Sequence, residues 1–341
     1  MKTLKLTTVL SVLTVGSMLV RAATTYSVTD LGSLGGNTTE AWAINNSRQI
    51  TGNALDAGGR SHGFFWDSGV MTDLGRVSAW AINNSGVVAG HDGGGAFLYD
   101  GTMHALGVEV RGLTMGINDA NQVTGRLGNS GPAFLYSGST PVTRIEGVYS
   151  GPGHGADVNS HGAVVGDAFP GNDPYEDALA FHWDGMFTPL ANLAGTWSSR
   201  ARSINDSGQI VGHNTLGDPH NFVFRPVLWD SKDAEPLDLG GVGGGAYDIN
   251  ELGQIVGGVG YAVLWDAGEM IDLNDCIPAD APLDHLQTAH SINDFGDIVC
   301  TGTVGGTTRS FLLTPIPEPA TYAAVMLAIS TLFVWYRRRL G

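Results

Sequence analysis

The sequence predicts an all-β protein: a seven-bladed β-propeller-like repeat ectodomain closed by an N-terminal strand, plus one C-terminal transmembrane helix. Three observations carry this prediction. One unit recurs seven times at intervals of 35 to 46 residues, each unit contains about four strand-like phrases, and the two ends of the repeat region complement each other. Internal repetition at this period is typical of propellers and solenoids, so it is considered before any local pattern.

The first phrase of the unit is clearest at 43–52, Ala-Ile-Asn-Asn-Ser-Arg-Gln-Ile-Thr-Gly. Its Asn-Asn/Asp-x-Gly step is typical of a hairpin turn in which Gly supplies a positive φ. A feature repeated in every unit indicates a structural role. The aligned asparagines are Asn45, Asn83, Asn118, Asn159, Asn205, Asn250 and Asn293.

The second and third phrases are rich in Val, Ile, Phe and Trp and are bounded by Gly, Asn or Asp, which are strand signals. Four strands in roughly 40–45 residues is the size of a propeller blade. One position of the second phrase is aromatic in most units, which favours a core between blades; a row of exposed rings that stack on sugars is the alternative. Its members are Trp66, Tyr99, Tyr136, Trp183, Trp229 and Trp265, and Trp42 and Trp80 likewise match each other in the first phrase.

The ends of the repeat region predict how the ring closes. Residues 26–32, Tyr-Ser-Val-Thr-Asp-Leu-Gly, form a third phrase with no unit of its own, whereas the seventh unit ends at its second phrase, 311–313. The N-terminal strand can therefore complete the seventh blade and remove the open edges of the sheet. A linear solenoid would instead need capping repeats, so a closed propeller is favoured over a solenoid or sandwich.

The first 22 residues are predicted to be a Sec signal peptide. Lys2 and Lys5 precede an uncharged apolar stretch, 6–20, and Val20-Arg21-Ala22 supplies small or aliphatic residues at a cleavage site, which is expected after Ala22 or Ala23. An uncleaved anchor is the alternative, although the apolar stretch is short for the roughly 20 residues of a membrane span. The ectodomain is then expected over residues 23–314.

The last segment, 315–341, is predicted to be a membrane tail. Its apolar run, about 320–336, would span roughly 25 Å as a helix. The basic residues after it belong on the cytoplasmic side, which leaves the ectodomain outside the cytoplasm. A plain tail anchor would have the same two parts.

The tail also resembles the PEP-CTERM sorting tail of Gram-negative bacteria, because a Pro-Glu-Pro motif, an apolar run and a basic cluster follow in order. The matching residues are Pro317, Glu318, Pro319, Arg337, Arg338 and Arg339. The resemblance implies recognition by an exosortase, transient anchoring in the inner membrane, removal of the tail, and release or attachment at the cell surface.

The repeats are similar to those of extracellular HAF-repeat proteins, named for a His-Ala-Phe phrase in the second strand. Only His62-Gly63-Phe64 keeps the histidine here, and other copies keep Ala-Phe or less. The resemblance spans about 26–314 and implies an extracellular location without implying an activity.

The net charge restricts the class of partner, and the cysteine content raises the question of a disulfide. A net charge of −16 argues against nucleic acid, whose affinity for proteins depends on Lys and Arg displacing counterions. The two cysteines, Cys276 and Cys300, lie in the exported part, so they are either joined by a disulfide or packed as two buried free thiols.

No catalytic constellation, cofactor motif or local metal signature is evident in the sequence. The acidic segment 167–177 is the largest departure from the repeat, and it offers hard oxygen ligands for an ion or contacts for a ligand; a solvated acidic loop is the alternative. Its candidate residues are Asp173, Tyr175, Glu176 and Asp177. His213 and His220 share the segment 212–223, which is read as a solvated insertion rather than a metal site.

The sequence therefore predicts a non-catalytic exported cell-surface or extracellular-matrix protein whose propeller is a binding scaffold. Signal peptidase and exosortase are its expected processing enzymes, exopolysaccharide or surface proteins its expected partners, and the membrane is reached through the C-terminal helix. The alternatives are a glycan lyase or hydrolase, which needs non-repeated carboxylates and bases at one mouth of the central channel, and a lectin-like carbohydrate-binding protein.

Overall fold

The computed structural model describes residues 24–107, 112–139, 141–147, 151–170, 178–218 and 221–317. Within them, 28 strands form seven antiparallel sheets of four strands each. The first three blades follow the chain in simple order. Blade 1 comprises β2 (Gly35–Ile44), β3 (Ile50–Asp56), β4 (Ser61–Asp67) and β5 (Val70–Asp73); blade 2 comprises β6 (Ser78–Ile82), β7 (Val88–His91), β8 (Ala96–Tyr99) and β9 (Met103–Ala105); blade 3 comprises β10 (Gly112–Ile117), β11 (Val123–Leu127), β12 (Ala133–Tyr136) and β13 (Thr143–Ile145).

Blades 4 to 6 repeat this order, and blade 7 takes its fourth strand from the N-terminus. Blade 4 comprises β14 (Gly153–Val158), β15 (Val164–Ala168), β16 (Leu179–Trp183) and β17 (Phe187–Pro189); blade 5 comprises β18 (Thr196–Ile204), β19 (Ile210–Asp218), β20 (Asn221–Trp229) and β21 (Leu237–Asp238); blade 6 comprises β22 (Gly245–Ile249), β23 (Ile255–Gly258), β24 (Ala262–Asp266) and β25 (Glu269–Asp272); blade 7 comprises β26 (His285–Ile292), β27 (Ile298–Val304), β28 (Thr307–Ile316) and β1 (Thr25–Asp30). A 3₁₀ turn, Leu273–Cys276, links blades 6 and 7.

The predicted ring closure is confirmed. Strand β1 pairs antiparallel with β28, with Tyr26 opposite Pro315 and Asp30 opposite Phe311. Tyr26 is buried between blades 6 and 7, and Arg309 of β28 contacts Asp30 at 3.0 Å. Strand β28 continues two residues past the predicted end of the ectodomain at residue 314, because 315 and 316 still pair with β1.

Each pair of adjacent blades shares its own apolar cluster, and seven such clusters complete the ring. The repeated aromatic position lies in these clusters, as predicted: Trp66, Trp229 and Trp265 are buried, and the other three members are partly buried. The indole N–H of Trp229 donates to the carbonyl oxygen of Ala191 at 2.8 Å. This position therefore serves packing between blades rather than a row of exposed sugar platforms.

Cys276 and Cys300 are free and buried in the cluster between blades 6 and 7, which is the arrangement of two packed thiols rather than a bridge. Burial raises the pKa of both thiols. Low thiolate content and lack of access make them poor nucleophiles.

The structure describes neither the predicted signal peptide, 1–22, nor the predicted membrane helix, 320–336. In the part that it does describe, no helix is long and apolar enough to cross a membrane. Of the sorting motif, Pro317 is the last described residue, and Glu318, Pro319, Arg337, Arg338 and Arg339 lie outside the described residues.

Candidate functional site: the central channel

The repeated asparagines form a closed hydrogen-bonded ring around the propeller axis. The side-chain amide of Asn45 donates to the backbone carbonyl of Asn83 at 2.9 Å, and each later member repeats this bond to the next blade until Asn293 donates back to Asn45 at 3.1 Å. The side-chain oxygen of each asparagine accepts backbone N–H groups of its own turn, as Asn45 does from Ser47 and Gln49. The predicted structural role of these residues is confirmed. The other five bonds of the ring are Asn83 to Asn118, Asn118 to Asn159, Asn159 to Asn205, Asn205 to Asn250 and Asn250 to Asn293.

The residue after each asparagine surrounds one mouth of the channel. At six of the seven steps between blades, its backbone N–H donates to the equivalent side chain of the next blade, as Asp206 does to Glu251 at 2.8 Å. Burial, with repulsion from Asp206 and Asp294, raises the pKa of Glu251. This acidic mouth is formed by Asn46, Asn84, Asp119, Ser160, Asp206, Glu251 and Asp294.

A β-bulge lies in the innermost strand of every blade, three residues before the ring asparagine. In blade 1 the pairing register skips Trp42, between Ala41 and Ala43, and the other six blades skip the equivalent residue. A bulge re-aims a side chain, and here all seven bulged residues line a central cavity of about 340 Å³. They are Trp42, Trp80, Met115, Ala156, Arg202, Tyr247 and His290.

Four of the bulged residues form a continuous aromatic arc over blades 2, 1, 7 and 6. The rings of Trp42 and Trp80 stack with centroids 5.1 Å apart, and the ring of His290 meets Trp42 edge-on at 4.9 Å. Tyr247 stacks on His290 at 6.3 Å. Burial lowers the pKa of His290 to about 4, so this imidazole is neutral at physiological pH. Neither indole N–H, of Trp42 or of Trp80, has a hydrogen-bond partner among the described residues.

Blades 3 to 5 carry a basic group on the other side of the channel. The imidazole of His154 accepts from Arg126 at 2.8 Å and donates to Asp167 at 3.0 Å, in the tautomer that this pattern requires. Burial favours the neutral form of Asp167, but the hydrogen bond from His154 and the charges of Arg200 and Arg202 outweigh it and lower its pKa. The three guanidinium groups therefore outnumber the one carboxylate.

A chain of carboxylates and hydroxyls crosses blades 4 to 7 one residue after the bulges. The hydroxyl of Ser203 lies 3.0 Å from Asp157 and 2.9 Å from Asp248, and Ser291 donates to Asp248 at 2.7 Å. Ser203 has one proton for two carboxylates, so one of the two carboxyl groups must carry a proton if both contacts are hydrogen bonds. Burial is the largest cause that raises the pKa of Asp157, and it raises that of Asp248 to about 6.

These two carboxylates meet part of the requirement for an enzyme, since they line the channel and do not recur in blades 1 to 3. Their oxygens are already engaged, however. Asp248 accepts the backbone N–H groups of Ile249 and Ile292, and Asp157 accepts those of Val158 and Ile204. Their geometry fits links between blades better than an acid or a nucleophile that must face a substrate.

The described residues of the channel include none of the sequence-predicted site residues. Asp173, Tyr175, Glu176 and Asp177 lie outside the described residues, as does His220. The prediction that 212–223 is a solvated insertion is wrong for 212–215, which are buried in the β19–β20 hairpin, with His213 against the ring of Phe224; 216–217 and 221–223 are exposed at the end of the same hairpin. In the described part of the chain, no group of three or more His, Cys, Asp or Glu side chains could hold a metal ion.

The sequence did not reveal the bulged residues as a set, although Trp42 and Trp80 were seen to match. One sequence signal points to them. The Gly that ends each Ile/Val-Val-Gly phrase lies opposite the bulge, and a Cβ at Gly52 would come within 2.1 Å of the carbonyl oxygen of Glu40. Gly inside a strand pattern indicates such a close approach. Gly90, Gly125, Gly166, Gly212 and Gly257 are equally tight.

No family model and no curated protein matches the chain, whereas solved structures do. The extracellular domain of a protein described as a hybrid two-component system of B. thetaiotaomicron matches 86% of this chain at 10% identity with a TM-score of 0.54, and this chain spans 40% of that one. A gluconolactonase of Xanthomonas campestris matches 86% of this chain and 95% of its own at 10% identity, with a TM-score of 0.45. An Aleuria aurantia lectin in complex with Fucα1-6GlcNAc matches 85% of this chain and 99% of its own at 13% identity, with a TM-score of 0.39. Likeness at this identity concerns the fold alone.

Proposed function

We propose that this protein is exported, sorted through its tail to the cell surface or extracellular matrix, and binds carbohydrate in the central channel of its propeller. The observation that carries the binding role is the contrast between neighbouring positions of the repeat. The ring asparagine is the same in all seven blades, whereas the bulged residue three positions earlier differs in nearly every blade. If the bulged position had only a packing role, we would expect the same type of residue there in every blade, as is found for the ring asparagine.

The chemistry of the channel supports carbohydrate as the ligand class. Ligand sites combine aromatic walls with a few polar groups that fix orientation. Trp42 and Trp80 provide a partly exposed stacked surface, against which the C–H face of a sugar ring can pack. The cavity of about 340 Å³ is small, so the end of a chain rather than its middle is the expected occupant.

Binding can be tested with a glycan array followed by calorimetry on the purified full-length protein. We expect Trp42→Ala and Trp80→Ala to weaken binding about fivefold or more, since stacking contacts of this kind contribute roughly 1 kcal/mol or more. Trp183→Ala is the matched control, because this tryptophan lies in the core between blades 3 and 4. Equal affinity of all four proteins would contradict a channel site.

The same incubations test the enzyme alternative. New reducing ends or unsaturated products released from a bound glycan, and lost in Asp248→Ser, would mean that the channel is catalytic. Unchanged glycan after prolonged incubation supports the binding role.

The sorting proposal rests on the order of Pro317-Glu318-Pro319, the apolar run and Arg337 to Arg339 after a propeller that is complete at Ile316. In the native host, we expect the mass of the secreted or surface protein to lack the residues after the motif. Replacement of Glu318 by Ala should retain a full-length protein in the inner membrane. A full-length, membrane-bound protein in both strains would show an ordinary tail anchor instead.

A further inference from the structure

The basic group beside the channel has more positive charge than its carboxylate neutralises. Arg126, Arg200 and Arg202 come from β11 and β18, and Asp167 is the acidic residue whose charge acts on this group. His154 bridges Arg126 and Asp167. Burial, together with repulsion from Arg202 and Arg200, lowers the pKa of His213 to about 3, so it adds no charge.

Arg202 is the member that reaches the ligand cavity. It is the bulged residue of blade 5, it lines the channel beside Tyr247, and its Nε is buried without a hydrogen-bond partner in the described part of the protein. Burial is the largest cause that lowers its pKa, and Asp167 offsets only part of this effect. A guanidinium group in such a place lacks the bidentate acceptor that normally accompanies a buried arginine.

Charge is also distributed along the channel axis. Arg200 and Arg202 lie within the innermost strand β18, whereas Asp206 of the acidic mouth lies in the turn that follows this strand. Arg200 and Asp206 are separated by six residues of one strand and its turn, which corresponds to at most roughly 20 Å. An anion is therefore repelled at the acidic mouth and attracted towards Arg202, deeper in the cavity. Glu40 of blade 1 is the carboxylate at the position equivalent to Arg200.

We infer that the channel selects an acidic sugar, a uronic acid residue whose carboxylate pairs with Arg202 while its ring stacks on the aromatic arc of Trp42 and Trp80. This inference rests on the proposed carbohydrate-binding function and specifies its ligand class. A carboxylate supplies the two acceptors that a guanidinium fork needs, and Arg200, two residues earlier on β18, reinforces the positive potential. A neutral sugar would leave Arg202 unpaired.

The experiment compares digalacturonate with its dimethyl ester, which has the same rings and no charge. We expect the acid to bind about 10- to 100-fold more tightly, as charge-assisted hydrogen bonds predict. Arg202→Gln should remove this preference and leave the affinity for the ester unchanged. Arg200→Gln should reduce the preference in part.

Arg225→Gln is the matched control, because Arg225 pairs with Asp238 on the outer strands of the same blade. Arg202→Gln removes an unpaired buried charge, so its melting temperature without ligand should be equal to or above that of the wild type. Equal binding of acid and ester by the wild type would overturn the acidic-sugar inference and leave carbohydrate binding intact. Failure of both probes, and of every glycan on the array, would refute the proposed function itself.

Discussion

At the scale of single residues, the contact of Ser203 with two carboxylates makes folding sensitive to pH. Asp248 has a pKa of about 6 in the folded protein, above its ordinary value, chiefly because of burial, and the pKa of Asp157 is raised for the same reason. The folded state therefore binds more protons than the unfolded state between pH 4 and 6. The contribution of these groups to stability is complete below pH 4 and is lost as pH rises through about 6.

We expect this effect to appear when the wild type is compared with Asp248→Ser. Serine is the residue at the equivalent position of blades 5 and 7, so the replacement keeps a hydroxyl in the chain of contacts. From pH 4 to 7, the stability of the variant should rise relative to the wild type by on the order of 2–3 kcal/mol, the energy of a shift of about two pKa units. Urea unfolding at several pH values measures the difference. Parallel pH profiles would show that Asp248 does not titrate in this range.

At the scale of elements, the turn after each innermost strand shows how local exceptions are compensated. Its fourth residue has a positive φ in every blade, and it is Gly except for Arg48 in blade 1 and Asn121 in blade 3. Both exceptions bond to the preceding blade: Arg48 contacts Asp297 at 2.8 Å, and Asn121 accepts from Asn83 at 2.8 Å. Asp297 and Val87 stand where four other blades have Gln, whose side chain bonds to the ring asparagine. Blade 4 departs from this pattern as well, with Ala163, and is followed by Gly208, so both non-Gly residues follow blades that lack the Gln but not every such blade is followed by one.

The same elements show what the sequence could reveal. The number of blades, the order of strands, the turn and the closing strand follow from phrases that recur with their own periodicity. The bulges do not, because a bulge is a property of two paired strands and changes no residue type in the strand that carries it. The prediction therefore found Trp42 and Trp80 but did not place Arg202, Tyr247 and His290 beside them. The full length of the nine-residue strands β19 and β20 was missed for a related reason: the end of their hairpin, 217–218 and 221–222, extends beyond the equivalent strands of the other units.

At the scale of the whole molecule, the asparagine ring and the apolar clusters both join the seven blades into a closed ring, at different distances from the propeller axis. The ring links innermost strands near the axis, and the clusters fill each space between blades. A rigid closed ring can present differing side chains at one depth of the channel, because each bulged residue is held by a strand that its neighbours fix. The acidic mouth and the basic group then make the distribution of charge along the channel axis asymmetric.

Strand β1 is the part of the chain on which this closure depends most directly. Tyr26 is buried in the cluster between blades 6 and 7, whereas Thr29 of the same strand is exposed. We expect Tyr26→Ala to lower the free energy of unfolding by about 3–5 kcal/mol, the usual cost of deleting a large buried aromatic side chain. Thr29→Ala, as an exposed substitution, should change it by less than about 0.5 kcal/mol. Urea unfolding of the three proteins provides the comparison.

Because β1 supplies the fourth strand of blade 7, its loss leaves β28 as an open edge, so the Tyr26 variant should also aggregate sooner on heating. Equal unfolding midpoints for the two variants would mean that the ring stays closed without the N-terminal strand.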